Sequence, residues 1–396
     1  MALNVTLLAS MHDPLHLHYA AQSKVYDEEP ARLFVSARGL CGASGAAVPN
    51  CTWNVNSSIS SWALAGASSR IVDAWVTGEH ELEGQDRCGD LLVVVDMGLT
   101  NLTSVANLLT FDARCLSCGP LGVARLSTEH ALHVRLTCDE STHPRAPHYA
   151  LVTSGGAKTM STAGGRRRAI KGALLAVDVS DPRHPRQVAQ VADATEGAAI
   201  PTTPEGVFVH AGFAYIGGCE DQRLVAVDLG GLPASLRVAA EWRDPAYVQL
   251  VSTQRHQLSG PARATMFLSL WGTPGGLAAF AVAPARTAAA HRYMRAPNVT
   301  EVGRLVTADL SAANRVVLQP SRQLAWLPLQ QRPQGRFAAV DVSEPAALRL
   351  AMAPVAMPGD SSFSFCLAVD ADDHVYAFSA PSATMHVYRV SNDFRY

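Results

Sequence analysis

The sequence predicts an all-β fold built as a ring of four-stranded blades, a β-propeller. Three observations predict it. One apolar strand motif recurs along the chain, each copy lies in a unit of four strand-like segments, and the first residues resemble the strand that the last unit lacks. The spacing of the copies gives six blades. The long first unit, residues 15–110, leaves room for a seventh.

The recurring strand is almost continuously apolar and ends in a polar residue. Such an unbroken apolar run is typical of a strand that is buried on both faces. Two further strand-like segments precede each copy, as in Gly206–Gly218, and a weaker one follows it. The six copies begin at Leu92, Leu174, Leu224, Leu277, Phe337 and Met385.

Aspartate occupies the fifth place in four of these copies, while Ala281 and Arg389 occupy it in the other two. A position that repeats indicates a structural task that repeats. We expect each carboxylate to accept hydrogen bonds from the amides of the turn that follows. The four residues are Asp96, Asp178, Asp228 and Asp341.

The intervals between copies place the insertions and the ends of the ring. Most copies lie about 50 to 60 residues apart, but the first interval is about 82 residues, which indicates an insertion at about 128–170, with another at about 39–88. The last unit, from Ser364 to Val390, has only three strands. A ring has to be closed, and Asn4–Ser10 can supply the fourth strand. Residues 1–396 then form one propeller domain.

The segment VDVSDPRHP, Val177–Pro185, is followed by the hairpin GVFVHAGFAYIGG and resembles the LVIVP-repeat propellers. The resemblance is specific over residues 172–230, recognisable at 335–355, and rests on spacing elsewhere. Kelch repeats are an alternative, because paired glycines follow two second strands, at Gly155–Gly156 and Gly217–Gly218, although the other units lack the pair. The LVIVP resemblance implies a binding scaffold of undefined activity, often on exported proteins, and transfers no catalytic residue.

Asparagine sequons favour an extracellular or cell-surface location. Met1–Ser10 has a short apolar stretch and no basic residue, so it does not resemble a signal peptide, and an export signal has either been removed or never existed. Chance would give about one N-x-Ser/Thr triplet among these asparagines, whereas five occur. The acceptors are Asn4, Asn50, Asn56, Asn101 and Asn298.

The chain has eight cysteines, which fits an oxidising compartment. Cys41 and Cys51 bracket a loop with Gly and Pro that a disulfide could close. Cys115 and Cys118 have the spacing of half a zinc site or of a redox pair, but no second CxxC completes a four-cysteine zinc site. We therefore expect a local disulfide between Cys115 and Cys118, or two structural thiols.

Composition argues against a nucleic-acid partner and against a membrane-spanning helix. The formal net charge is −2, from 32 basic and 34 acidic residues that are mixed throughout, and no stripe of Lys and Arg alternates with aromatics. Nucleic acid is therefore not expected as a partner. No run approaches the roughly 18 apolar residues that a membrane-spanning helix needs.

The links from one unit to the next are where a channel-mouth site would form. His16 and His18 would share one face of an extended strand, as two metal ligands would, with Glu205 or Asp360 as a third ligand. Two nitrogens do not make a metal site, so His16 and His18 are weak metal candidates and the cofactor stays unknown at this stage. The channel-mouth candidates are His16, His18, Glu205, Tyr247, Arg315 and Asp360.

These features favour an extracellular interaction module that binds a protein or glycan partner through loops on one face. The alternative is a propeller enzyme, a hydrolase or a metal-dependent oxidoreductase, with its site at the channel mouth. That alternative requires at least three of the channel-mouth candidates to converge. An intracellular scaffold is a third possibility, which the five sequons disfavour.

Overall fold

The apolar runs of the sequence form β-strands that pair with their neighbours along the chain into antiparallel sheets. The computed structural model describes residues 3–13, 17, 20–26, 31–37, 57–77, 80–97, 105–137, 148–161, 167–192, 200–201, 204–218, 223–243, 250–256, 264–283, 297–330, 334–359, 363–380 and 382–392. Within these ranges the strands form seven sheets, and each sheet is one blade of a β-propeller. The predicted all-β propeller is confirmed.

The strands are numbered in chain order, and β1 (Leu3–His12) belongs to the last blade. Blade 1 contains β2 (Ala20–Tyr26), β3 (Arg32–Ala37), β4 (Ser57–Ala63) and β5 (Arg70–Thr77). Blade 2 contains β6 (Leu82–Cys88), β7 (Leu91–Asp96), β8 (Asn107–Asp112) and β9 (Gly122–Arg125). Blade 3 contains β10 (Ala131–Leu136), β11 (Tyr149–Ser161), β12 (Arg167–Asp178) and β13 (Arg186–Ala192).

Blade 4 contains β14 (Pro204–His210), β15 (Phe213–Gly218), β16 (Arg223–Asp228) and β17 (Arg237–Arg243). Blade 5 contains β18 (Leu250–His256), β19 (Ala264–Leu270), β20 (Gly275–Ala283) and β21 (Asn298–Thr307). Blade 6 contains β22 (Val317–Gln319), β23 (Leu324–Leu329) and β24 (Arg336–Asp341), and its outer strand is split into β25 (Arg349–Leu350) and β26 (Val355–Ala356). Blade 7 contains β27 (Phe363–Val369), β28 (His374–Ala380), β29 (Thr384–Asn392) and β1.

Short 3-10 turns lie between some of the strands, at Gly66–Ser68, Leu116–Cys118, Ala308–Leu310, Pro320–Arg322 and Pro345–Ala347. The first strand of each blade lines the central channel, because it contacts the first strands of both neighbouring blades. Neighbouring strands within a blade are antiparallel, so every first strand begins on the same side of the ring. We call that side the link face, since the links between blades lie there, and the other side the opposite face.

The core lies between the blades. Within the described residues, seven apolar clusters occur, and each one joins two neighbouring blades. Phe34 and Phe111 pack between blades 1 and 2, for example, and Trp326 and Tyr388 between blades 6 and 7. Each sheet therefore buries both of its faces, which explains why its middle strands are continuously apolar.

The ring is closed by the first strand of the chain. β1 pairs in antiparallel fashion with β29, with Asn4 opposite Ser391 and Ser10 opposite His386. A register shift between Leu7 and Ala9 is the one irregularity in this described pairing. The prediction that Asn4–Ser10 completes the last blade is confirmed.

The ring has seven blades, the larger of the two numbers that the sequence allowed. The copy that begins at Leu92 lies in β7, the second strand of its blade, whereas the other copies lie in third strands. The third strand of blade 2 is β8. Residues 39–88 contain β4, β5 and β6, so they supply blade strands, and residues 128–170 contain β10, β11 and the first residues of β12.

Three of the repeated aspartates do what their position predicts. Asp178, Asp228 and Asp341 each accept a hydrogen bond from the amide two residues later, at 3.0, 2.8 and 3.0 Å. Asp112 of blade 2 does the same at 2.9 Å, so it is the true equivalent of these three. Asp96 ends a second strand instead and belongs to a different structural position.

Asp96 bonds to groups outside its own turn. Its carboxylate accepts hydrogen bonds from the amide of Glu81 at 3.0 Å and from the side chain of Asn107 at 2.9 Å, and it contacts Nδ1 of His80 at 2.7 Å. Asp96 thus holds the link before β6 and the start of β8 against the end of β7. Residues 98–104 of the turn that follows β7 lie outside the described residues, so the expectation that Asp96 accepts from that turn stays a prediction.

A buried histidine lies at the ring closure. His386 on β29 bonds through Nδ1 to the hydroxyl of Ser10 on β1 at 2.9 Å, and its Nε2 lies 3.3 Å from the hydroxyl of Ser379 on β28. The ring of Tyr388 is also near, at 6.4 Å between centroids. Burial lowers the pKa of His386 to about 4. The imidazole is consequently neutral at pH 7.

This histidine predicts an acid-sensitive closure. The folded-state pKa lies below the unfolded value of about 6.5, so the contribution of the neutral ring is complete above about pH 6.5 and is lost as the pH falls toward 4. The loss should reach about 3 kcal/mol. Urea unfolding of the wild type and of His386→Gln between pH 4 and pH 7.5 measures it. The difference between the two curves should shrink on acidification, and parallel curves would contradict the assignment.

Candidate functional site

The channel-lining strand β6 carries charges in a buried position. Its sequence, LEGQDRC, places Glu83, Asp86 and Arg87 among neighbouring inner strands, and all three side chains are buried. Buried charges are costly unless they are paired. Gly84 lets β6 approach blade 3, because a Cβ at this position would lie 2.6 Å from the carbonyl oxygen of Leu132.

Asp86 links the inner strands of three blades. Its carboxylate lies 2.5 Å from Nζ of Lys24 on β2 and 3.6 Å from a guanidinium nitrogen of Arg135 on β10, and it accepts a hydrogen bond from the amide of Leu136 at 2.8 Å. Burial alone would raise the pKa of Asp86, but the charges of Lys24 and Arg135 and these hydrogen bonds outweigh burial and lower it. The carboxylate is therefore ionised, and it pairs with the charged side chains of Lys24 and Arg135.

A second ion pair crosses the channel nearer the link face. Nη2 of Arg315, just before β22, donates to Oε1 of Glu83 on β6 at 3.3 Å. Their side chains are 12% and 4% exposed. Arg315 belongs to blade 6 and Glu83 to blade 2, and these blades are not neighbours, so the pair has to pass through the lumen. It bridges opposite walls of the channel.

Cys366 on β27 lies beside this pair. Its thiol is buried and donates to the carbonyl of Ala20 at 3.3 Å. The charges of Arg315 and Glu83 are close enough to act on the pKa of the thiol. Burial raises the pKa of Cys366 to about 11, since it outweighs the hydrogen bond from Ser23. The thiol is thus protonated at neutral pH and is a poor nucleophile.

Arg315 is the one predicted channel-mouth residue whose side chain the structure describes, and it lies in the channel. Glu205 lies in β14 opposite Gly217 in the backbone register. His16, His18, Tyr247 and Asp360 lie outside the described residues. Within the described part of the chain, no group of three or more His, Cys, Asp or Glu side chains is arranged to hold a metal ion.

The predicted modification sites are partly described. Asn4 and Asn298 are exposed on the outermost strands β1 and β21. The predicted disulfide between Cys115 and Cys118 is present, and Cys88 is also in a disulfide. The remaining candidates lie outside the described residues; these are Asn50, Asn56, Asn101, Cys41 and Cys51. Across the described ranges, no helix has the length and apolar character that crossing a membrane requires.

The structure also contains an open cleft of about 620 Å³ between blades 6 and 7 on the opposite face. Its charged lining residues are Arg322 from the turn after β22, with Asp341 and Arg349 from the ends of β24 and β25. Leucines from three strands of two blades also line it. These are Leu3, Leu324 and Leu350.

Sequence reasoning missed the channel charges and the cleft. Residues 39–88, which include the three charges of β6, were interpreted as an insertion. One signal in the sequence could have indicated the charged residues of the cleft, because an arginine begins several fourth strands and pairs across strands with the repeated aspartate. These pairs are Arg186 with Asp178, Arg237 with Asp228, and Arg349 with Asp341.

No family model matches the chain, and no curated protein matches it in sequence. The resemblance to LVIVP-repeat propellers stays a prediction.

The role of Asp86 predicts a large effect of its neutralisation. Asp86→Asn removes the counter-charge from Lys24 and Arg135, which are half-buried, so we expect a loss of about 3 kcal/mol in the free energy of unfolding. Asp112→Asn is the matched control, because Asp112 pairs with the exposed Arg114 and its loss should cost less than about 1 kcal/mol. Urea unfolding measures both. Equal losses would refute the special role of Asp86.

Proposed function

We propose that this protein is an extracellular or cell-surface propeller that binds a protein or glycan partner through its exterior surfaces. The observation that carries the proposal is the ion pair between Arg315 and Glu83. It pairs Arg315 with Glu83 across the lumen. The channel charges then serve the ring, and recognition falls to the outer surfaces.

The seven-bladed architecture suits such a role. A closed ring with its core between the blades is a rigid support, and antiparallel blade strands place the connections between them at its two faces. Binding residues are often found on loops that a rigid scaffold positions. A protein partner or a glycan can be recognised by such loops without any reactive group.

The compartment is supported by two observations. Asn4 and Asn298 are exposed on outermost strands, where a glycan can extend into solvent. The disulfide between Cys115 and Cys118, together with the disulfide-bonded Cys88, suits an oxidising environment. Both observations support an extracellular location over an intracellular scaffold.

The alternative, an enzyme with its site at the channel mouth, would use Arg315 to hold a substrate. Arg315 is bonded to Glu83 instead, and the neighbouring Cys366 is held as a thiol. A substrate would have to separate a buried ion pair before it could bind, which leaves the carboxylate without its partner at a high cost. The surface-binding proposal avoids this cost.

The proposal predicts that partner capture survives neutralisation of the channel pair. Biotinylated protein, assembled into tetramers on streptavidin, is applied to cells of the native source and to a glycan array. The wild type should bind a protease-sensitive cell-surface protein or a defined set of glycans. The double variant Glu83→Gln with Arg315→Gln keeps a hydrogen bond between two amides, so it should bind within about twofold of the wild type.

Failure takes two forms in this experiment. A folded double variant that loses partner capture would place recognition in the channel and contradict the proposal, as would binding by neither cells nor glycans. The extracellular part is tested by mass spectrometry of the same protein from its native source. Peptides of Asn4 and Asn298 should carry glycans, and unmodified asparagine at all five sequons would contradict that location.

A further inference from the structure

One carboxylate, that of Asp341, lines the cleft between blades 6 and 7. Oδ1 of Asp341 accepts from the amide and the hydroxyl of Ser343 at 3.0 and 2.6 Å. Oδ2 accepts from Nε and Nη2 of Arg349 at 2.9 and 2.8 Å. The carboxylate that lines the cleft is therefore already supplied with donors from the protein.

The second carboxylate near the cleft is supplied in the same way. Asp373 accepts from Nε and Nη2 of Arg322, both at 2.5 Å, and from the side-chain amide of Gln319 at 2.8 Å. Asp373 comes from the turn between β27 and β28, so this contact fixes Arg322 across the boundary between blades 6 and 7. The side chain of Arg322 is therefore held by protein contacts without a ligand.

Arg349 has hydrogen-bond donors that its contacts with Asp341 do not use. Its side chain is 75% exposed, and its two bonds to Asp341 use Nε and Nη2. Guanidinium carries five N–H donors, so Nη1 keeps two that can meet an acceptor in the cleft. A carboxylate is the acceptor that suits this geometry best, because charge-assisted hydrogen bonds to guanidinium are strong and directional.

Leucine side chains also line the cleft. Leu324 is buried, and Leu3 and Leu350 are half-buried, so a ligand would cover their exposed parts. The outer strand of blade 6 is split next to the cleft, between Leu350 of β25 and Val355 of β26. β25, which lines the cleft, is the outermost strand of blade 6 at this point, and an extended chain can lie along such a sheet edge.

We propose that this cleft binds an extended peptide segment of a protein partner, in which an apolar side chain lies next to a carboxylate. The apolar side chain packs against Leu3, Leu324 and Leu350, and the carboxylate bonds to Arg349. The proposal rests on the surface-binding function and assigns its location. A volume of about 620 Å³ lies in the range of ligand sites in proteins.

Blade 3 offers a matched control for this cleft. Arg186 begins β13 as Arg349 begins β25, it pairs across strands with Asp178 as Arg349 does with Asp341, and its side chain is 76% exposed. Arg186 does not line this cleft. Arg349→Glu and Arg186→Glu therefore change the net charge equally, at the same repeat position, and only the first alters the cleft.

The test uses immobilised seven-residue peptides in three pools that differ only at the central residue. That residue is Asp, Asn or Lys, with Leu, Ile or Val on one side and Ser elsewhere. Wild-type protein should favour the Asp pool over the Asn pool by about fivefold or more, as a charge-assisted bond requires. Arg349→Glu should lose about tenfold in binding to the Asp pool, and Arg186→Glu should stay within about twofold.

A second variant tests the cleft without changing its charge. Ala351→Phe places a ring in the cleft that Ala351 lines and should abolish the preference for the Asp pool, with thermal melting used to confirm folding. Equal binding of the Asp and Asn pools by the wild type, or equal losses in the two arginine variants, would overturn the inference. If Arg349→Glu still captures the cell-surface partner, the cleft is not the binding site, while the proposed binding function stands. Absence of any partner removes the proposed function itself.

Discussion

The pairing of β1 with β29 is the constraint on which the rest of the structure depends. The seven apolar clusters lie between blades, so each blade buries both faces only while it has two neighbours. An open chain of blades would expose two apolar sheet faces at its ends. The first strand removes both ends by joining the last blade, with Asn4 opposite Ser391. Because residues near the two ends of the chain form one sheet, the interfaces on either side of blade 7 are fixed together.

Closure also explains why charges can be buried in the channel. Inner strands from several blades converge there, so Asp86 meets cations from blades 1 and 3, and Glu83 meets a cation from blade 6. Each pair has the right partners only in a ring of the correct number and order of blades. The pairs therefore favour one assembly over others, a role that buried ion pairs can have even when they add little net stability. The partner binding proposed above is then left to the two faces of the ring and the cleft between blades 6 and 7.

Residue patterns predicted the architecture better than the sites. The all-β ring, the closing strand and the disulfide between Cys115 and Cys118 followed from local apolar runs and spacing. The sequence left six or seven blades open, because the third strand of blade 1, β4 (Ser57–Ala63), has serines where the recurring motif has an apolar run, and it does not end in Asp. The partner of Arg315 could not be predicted, since Glu83 lies 232 residues away and meets it only across the closed ring.

Hydrogen exchange at the closing sheet tests the central claim most directly. If β1 is an integral strand of blade 7, its amides that bond to β29 should exchange with the same free energy of opening as those between β28 and β29. Both sets should lose protection together as denaturant is added. Rapid exchange of Asn4–His12 while Thr384–Val390 stays protected on the β28 side would show that the ring is held without its first strand, and would contradict this account.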